Sequence, residues 1–279
     1  MPPTIGEILQ TAARELQATS PAPRLDTEVL LMHVFGLDRS ALIARGHISL
    51  TDDQFHQLEK LIARRRGGEP VAYLTGTREF WSMALNVSPA VLIPRPETEL
   101  LVEKALERIP RDAEWTIADL GTGSGAIALA IAKERPRCRV IATDISPPAL
   151  DVARSNAARF NLTRVEFREG SWLEPLMSMK LDMIVSNPPY VRADDPHLQQ
   201  GDIRFEPAQA LAAGPDGLDD IRSIILSARD YLQPAAWLLF EHGWDQGNAV
   251  GLFLHRHGYR NIVCHPDIGG RDRVTACRL

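Results

Sequence analysis

Apolar positions in the first quarter of the chain recur with a helical period. Ile5, Ile8, Leu9, Ala12 and Leu16 predict one amphipathic helix, and Leu25, Val29 and Met32 continue the same spacing after Pro21 and Pro23. A third helix is predicted after Thr51. There Thr51-Asp52-Asp53-Gln54 has the capping-box pattern, in which the Thr and Gln side chains satisfy opposite backbone donors. Phe55, Leu58 and Ile62 form its apolar stripe. It ends at Arg64-Arg65-Arg66 before Gly67-Gly68, which reads as cations on a solvated surface at the negative end of the helix. Residues 1–79 are therefore expected to form a small helical bundle that docks a protein substrate or covers the second domain. Residues 80–92 alternate loosely and contain Asn86 and Pro89, as a hairpin or linker would.

From Thr116 onward the period switches between two and 3.6. Strands are predicted at Thr116–Leu120, Arg139–Thr143, Val165–Arg168, Leu181–Ser186 and Trp237–Glu241, with Ile262–Cys264 and Val274–Cys277 closing the set. Helices are predicted at Ala126–Glu134, Pro147–Arg159, Leu218–Leu232 and Ala249–His257. This alternation predicts an α/β domain over residues 93–279 with a doubly wound, mostly parallel sheet, whose ligands bind beyond the carboxyl ends of the strands. Residues 191–217 form a long connection rich in Asp and Pro, expected to act as a lid or docking surface and to be partly disordered without a partner.

The formal net charge of −5 argues against a nucleic-acid backbone as the main partner, because displacing counterions takes a positive excess. Residues 1–79 hold nine Lys or Arg against ten Asp or Glu, so no basic module is set apart. The three cysteines fit no metal or redox spacing, and His255-x-His257 lacks carboxylate company, so no metal site is expected. Glu7, Arg14 and Glu15 interrupt the first twenty residues, and no stretch is apolar enough to span a bilayer. A cytoplasmic protein that neither enters membranes nor binds nucleic acid is the expectation, with a monomer as its simplest form.

Two motifs carry chemistry. The strand Thr116–Leu120 runs into Gly121-Thr122-Gly123-Ser124-Gly125, where missing Cβ atoms allow a sharp turn and close approach of a ligand to backbone amides. The next strand leads to Asp144, whose carboxylate can accept both ribose hydroxyls of a nucleoside. The glycine spacing alone also fits a dinucleotide fingerprint. Asp119, two residues before Gly121, favours a cationic ligand such as S-adenosylmethionine over a pyrophosphate.

The second motif is Asn187-Pro188-Pro189-Tyr190, directly after the strand Leu181–Ser186. Each proline fixes φ and removes an amide donor, so the segment presents carbonyls. The Asn187 side-chain oxygen and the Pro188 carbonyl can together accept both hydrogens of one planar NH2 group, with Tyr190 stacked against its plane. Such acceptors favour the positive charge that grows on an amide nitrogen as it attacks a methyl group.

Taken with Glu79-Phe80-Trp81, Ile93-Pro94-Arg95-Pro96-Glu97-Thr98-Glu99, Arg204-Phe205-Glu206-Pro207 and Glu241-His242-Gly243, these motifs make the chain similar to the peptide chain release factor glutamine-N5 methyltransferases over nearly its full length. The resemblance implies a Rossmann-like class I methyltransferase domain behind the helical bundle. It implies that Gly121, Thr122, Gly123, Ser124 and Gly125 wrap the methionine part of S-adenosylmethionine, that Asp144 holds the ribose, and that Trp172 lies beside the adenine. Asn187 would touch both the transfer centre and the substrate amide, and Asn187, Pro188, Pro189 and Tyr190 would form the glutamine pocket. The implied partner is a bacterial class 1 release factor carrying a Gly-Gly-Gln motif. Where relatives often have an acid before the tryptophan, this chain has Ser171.

Asn-Pro-Pro-Tyr is shared with adenine-N6 methyltransferases acting on DNA or RNA, since an exocyclic adenine amine is also a planar NH2; the acidic charge opposes that reading. A catalytically dead binding module would not need Gly121–Gly125, Asp144 and Asn187 intact, and an oxidoreductase would need a hydride-transfer residue that is not evident. Arg95 is expected to pair with Glu97 or Glu99 at the surface.

Overall fold

The computed structural model describes residues 3–279. The described residues divide into two compact units, one running to residue 77 together with 196–205, and the other of residues 78–195 with 206–279.

The first unit is helical: α1 (Ile5–Glu15), α2 (Pro23–Phe35), α3 (Arg39–Ala44), α4 (Asp52–Arg66) and α5 (Val71–Thr75). Thr4 and Thr51 close capping boxes on α1 and α4 with Glu7 and Gln54. The short helices α3 and α5 escape periodicity because each spans fewer than two turns. The core collects Ile5, Ile8 and Leu16 of the first segment with Leu30, Leu31, Leu58 and Leu61. In α2 the buried face is Thr27, Glu28, Leu30 and Leu31 rather than the expected Leu25–Val29–Met32 stripe, and Leu25 is half exposed. Buried Glu28 accepts from Arg24 and Arg39, so an acid occupies a position that a hydropathy pattern assigns to solvent.

The arginine run is also corrected. Arg64 and Arg66 are exposed, but Arg65 is only 2% exposed and is one of the largest buried side chains. Its guanidinium reaches Asp26 Oδ2 and Asp202 Oδ1, each at 2.7 Å, and the Glu69 carbonyl at 3.1 Å. Asp202 comes from the distant 196–205 segment, a contribution that contiguous helical periodicity cannot reveal.

The second unit begins with a two-stranded sheet, β1 (Thr77–Phe80) and β2 (Met83–Asn86), turning through Trp81 and Ser82 at positive φ. After α6 (Glu99–Arg108) come β3 (Thr116–Leu120), α7 (Ala126–Glu134), β4 (Arg139–Asp144), α8 (Pro147–Arg159), β5 (Val165–Glu169) and β6 (Leu181–Ser186). Then follow α9 (Asp219–Ala228), β7 (Leu232–Glu241), α10 (Gly247–Arg256), β8 (Arg260–Pro266) and β9 (Asp272–Arg278). The sheet order is β5-β4-β3-β6-β7-β9-β8, parallel except for the β9 and β8 edge. Alternate residues face opposite layers. Ile117, Val140 and Met183 pack with α6 and α7, whereas Ala118, Ile141 and Ile184 pack with α9 and α10. Helix α9 stops at Ala228, short of the expected Leu232. Pro234 pushes its predecessor into extended backbone, and β7 starts at Leu232 with a register shift against β6.

The long connection, residues 191–217, is built of turns. It carries three short 3-10 turns and closes on itself where Val191 N–H donates to the Leu211 carbonyl at 2.9 Å and Ala213 N–H to the Val191 carbonyl at 2.9 Å. Among the described residues, no helix is long and apolar enough to cross a membrane.

Candidate active site

Parallel register sets the site. Leu120 pairs with Thr143 and with Ser186, and Ser186 pairs with Phe240. The next residue on each strand or just beyond it therefore emerges at one carboxyl edge: Gly121, Asp144, Asn187 and Glu241. The order reverses between β3 and β6, the switch point where doubly wound sheets open a crevice. A cavity of about 430 Å³ lies there, lined among others by Gly121, Gly123, Asp144, Trp172, Asn187 and Pro189.

Gly121, Gly123 and Gly125 all have positive φ, and a Cβ on Gly121 would come within 3.1 Å of the Trp172 ring. Gly123 N–H donates to Asp144 Oδ2 at 2.8 Å and Ser146 N–H to Asp144 Oδ1 at 2.9 Å, which fixes the carboxylate at the cavity wall. Trp172 itself sits at φ 44°, unusual for a bulky residue, and Thr143 Oγ1 donates to its carbonyl at 2.8 Å. Thr122 and Ser124 are buried behind the loop. Asp119 is fully buried. Its Oδ2 accepts from Thr122 Oγ1 at 2.6 Å and Ala128 N–H at 3.1 Å, while Oδ1 has no partner. Burial pushes the Asp119 carboxyl up to about 7. An orphaned buried acceptor behind a glycine-lined cavity of this volume suits a cationic nucleoside such as S-adenosylmethionine.

At the end of β6 the Asn187 side chain donates through Nδ2 to Thr98 Oγ1 at 3.1 Å. Thr98 Oγ1 donates to Glu241 Oε2 at 2.7 Å, and the Tyr190 hydroxyl donates to Glu241 Oε1 at 2.9 Å. Desolvation raises both the Glu241 carboxyl and the Tyr190 phenol above their ordinary values. The Tyr190 ring packs on the α9-side core while its hydroxyl is held by Glu241. Pro189 lines the cavity. Arg95 pairs with buried Glu206, not with Glu97 or Glu99, and Glu206 also accepts from Ile93 N–H at 3.0 Å. This ties the Pro-Arg-Pro-Glu segment to Pro207, another cavity residue. Phe80 is core, and Trp81 Nε1 donates to Glu134 at 3.1 Å.

Sequence reasoning missed Thr98 and Glu241 as site residues. A lone acid ending the otherwise apolar run Trp237–Glu241 was the available signal, since a buried strand end tolerates a carboxylate only with partners.

The fold and this cavity define a class I methyltransferase. A Pyrococcus furiosus methyltransferase superposes with a TM-score of 0.54 at 18% identity, covering 77% of this chain and 96% of that one. Residues 7–76 match the PrmC N-terminal domain, and residues 96–211 match the methyltransferase small domain. The release factor glutamine methyltransferase of Xylella fastidiosa (strain 9a5c) is 51% identical over 94% of this chain and 95% of its own length. That of Escherichia coli (strain K12) is 50% identical over 97% of both. The chain belongs to the release factor glutamine methyltransferase family.

Proposed function

We propose that this protein transfers a methyl group from S-adenosylmethionine to the side-chain nitrogen of the glutamine in the Gly-Gly-Gln motif of peptide chain release factors. The observation that carries this reading is Asn187: it lines the cavity with its NH2 held by Thr98, so its carbonyl oxygen remains for a substrate NH2.

The bound donor supplies an electrophilic methyl on a sulfonium. Asp144 accepts the ribose hydroxyls, the Gly121–Gly125 turn receives the methionine portion, and Trp172 covers the adenine. Asn187 Oδ1 and the Pro188 carbonyl accept the two amide hydrogens of the substrate and hold its nitrogen facing the methyl. Carbonyl acceptors withdraw no electrons from that nitrogen and stabilise the charge it gains on attack, while the fixed geometry replaces a chance encounter. As the N–CH3 bond forms the S–CH3 bond breaks and leaves S-adenosylhomocysteine; the nitrogen turns acidic only then and loses one proton to solvent. Pro188 and Pro189 keep competing N–H donors out of the pocket. The helical bundle of residues 1–79, joined through residues 80–92 to the catalytic domain of residues 93–279, docks the release factor. The reaction takes place in the cytoplasm, and no nucleic acid takes part.

The test supplies labelled S-adenosylmethionine with a purified release factor, the same factor with its motif glutamine replaced, and duplex DNA. Label is expected on the intact factor alone. Label on DNA, or equal label on the factor without its glutamine, overturns the proposal.

A further inference from the structure

Beyond the residues that meet substrate, Asn187, Thr98, Glu241 and Tyr190 form a chain of hydrogen bonds. Glu241 follows Phe240, which is level with Ser186, so its carboxylate lies beside Asn187 at the same sheet edge. The Glu241 residue is 1% exposed and Thr98 4%. Both carboxylate oxygens are occupied, Oε1 by the Tyr190 hydroxyl and Oε2 by the Thr98 hydroxyl.

The direction of the chain follows from counting protons. Each Glu241 oxygen is met by a hydroxyl, so both accept, and a hydroxyl has a single proton to give. Thr98 commits its proton to Glu241, so toward Asn187 it can only accept. What it accepts is an N–H of Asn187, at 3.1 Å. The donors therefore run from Asn187 to Thr98 to Glu241, and Tyr190 converges on the same acid from the other side. With the amide reversed, Asn187 Oδ1 would face a hydroxyl oxygen whose proton is already spent.

We propose that Glu241, acting through Thr98, is a positioning residue that holds Asn187 with its carbonyl oxygen toward the cavity and thereby sets the site to receive an NH2 group. This deepens the function proposed above and rests on it for the identity of the substrate. Glu241→Gln introduces an amide donor at the centre of the relay. Gln Nε2 can then donate to Thr98, which frees the Thr98 proton to meet Asn187 Oδ1 and turns the amide around. The reversed amide would present hydrogens to the hydrogens of the substrate. Thr98→Val removes the relay with little change in shape. Thr98→Ser keeps it.

Two readouts test this together. Turnover on the release factor is expected to fall about 10²-fold in Glu241→Gln and about tenfold or more in Thr98→Val, as for loss of an oriented group at a reacting centre, and to stay near wild type in Thr98→Ser. The affinity for S-adenosylhomocysteine, measured by calorimetry, is expected to remain within about threefold in all three, because the Gly121–Gly125 turn and the accepting carboxylate of Asp144 are untouched. The second readout needs no activity. The side-chain NH2 of Asn187, followed by nitrogen-15 NMR, is expected to exchange slowly with water in wild type and Thr98→Ser, and about tenfold faster in Thr98→Val, where its partner is gone. Folded variants that keep wild-type turnover, or an Asn187 NH2 whose exchange ignores the Thr98 series, overturn the relay. A wild-type enzyme that leaves the release factor unmethylated while the exchange series behaves as expected overturns the substrate assignment and leaves the relay standing.

Discussion

Asp119, next to last in β3, has no exposed surface and one carboxylate oxygen without a partner. Its proton is held to about pH 7 in the folded chain, against an ordinary carboxylate value of 3.8. Between those values the folded state carries one more proton than the unfolded state, so this group favours folding at the acidic end and loses that advantage as pH rises through 7. Asp119→Asn removes the dependence. Urea unfolding of ligand-free protein is expected to show the variant gaining on wild type by about 3 kcal/mol between pH 5 and pH 8, the linkage value of two pH units. An unchanged gap at the two pH values would rule out a protonated Asp119. Asn187 is the complementary case, a residue whose importance lies in chemistry rather than stability. Asn187→Ala is expected to lower turnover by about 10²–10³-fold, the usual loss of a transition-state hydrogen bond, with donor binding largely intact. Single-turnover kinetics beside product calorimetry separate the two effects.

The glycine turn between β3 and α7 and the α4 helix show how whole elements depend on single contacts. At Gly121 the backbone has φ 69° and faces the Trp172 ring, so Gly121→Ala combines backbone strain with a 3.1 Å approach. The expected result is a loss of product affinity of about tenfold and a drop in stability of roughly 1–2 kcal/mol, read by calorimetry and thermal melting. Helix α4 begins at a full capping box and ends in a buried guanidinium shared by Asp26 and Asp202. Thr51→Ala is expected to cost about 1 kcal/mol. Arg65→Met should cost more, about 3 kcal/mol, because it leaves Asp26 without its cation. If denaturation curves rank these two the other way, the Arg65 pair is a surface pair in effect despite its burial.

For the whole molecule, the cavity belongs to a sheet with an apolar layer on each face, while the helical unit has a separate core. A ligand that binds only the folded state stabilises by mass action. S-adenosylhomocysteine at one hundred times its dissociation constant should add about 2.7 kcal/mol to unfolding of the unit that holds β3 and β6. Hydrogen exchange is expected to slow at the Gly121–Gly125 turn and at Ser186–Tyr190. Protection confined to residues 1–77 would place the donor elsewhere.

Local rules were enough for much of this protein. The capping residues of α4, the alternation of strand and helix from Thr116, the glycine turn and the rigid Asn187–Tyr190 segment are all written in short stretches of chain, because caps, turns and proline geometry depend on neighbours in sequence. The hydrophobic period failed where a buried polar group found a distant partner, as with Glu28 and Arg39, Arg65 and Asp202, or Arg95 and Glu206. It was silent on α3 and α5, which are too short to show a period. Only the folded chain brings these groups together: parallel register sets Asn187 level with Glu241, and Thr98 and Tyr190 reach them from outside the strands. A buried carboxylate is favourable only where two hydroxyls converge on it, and convergence of residues up to 143 positions apart is a property of the folded chain alone.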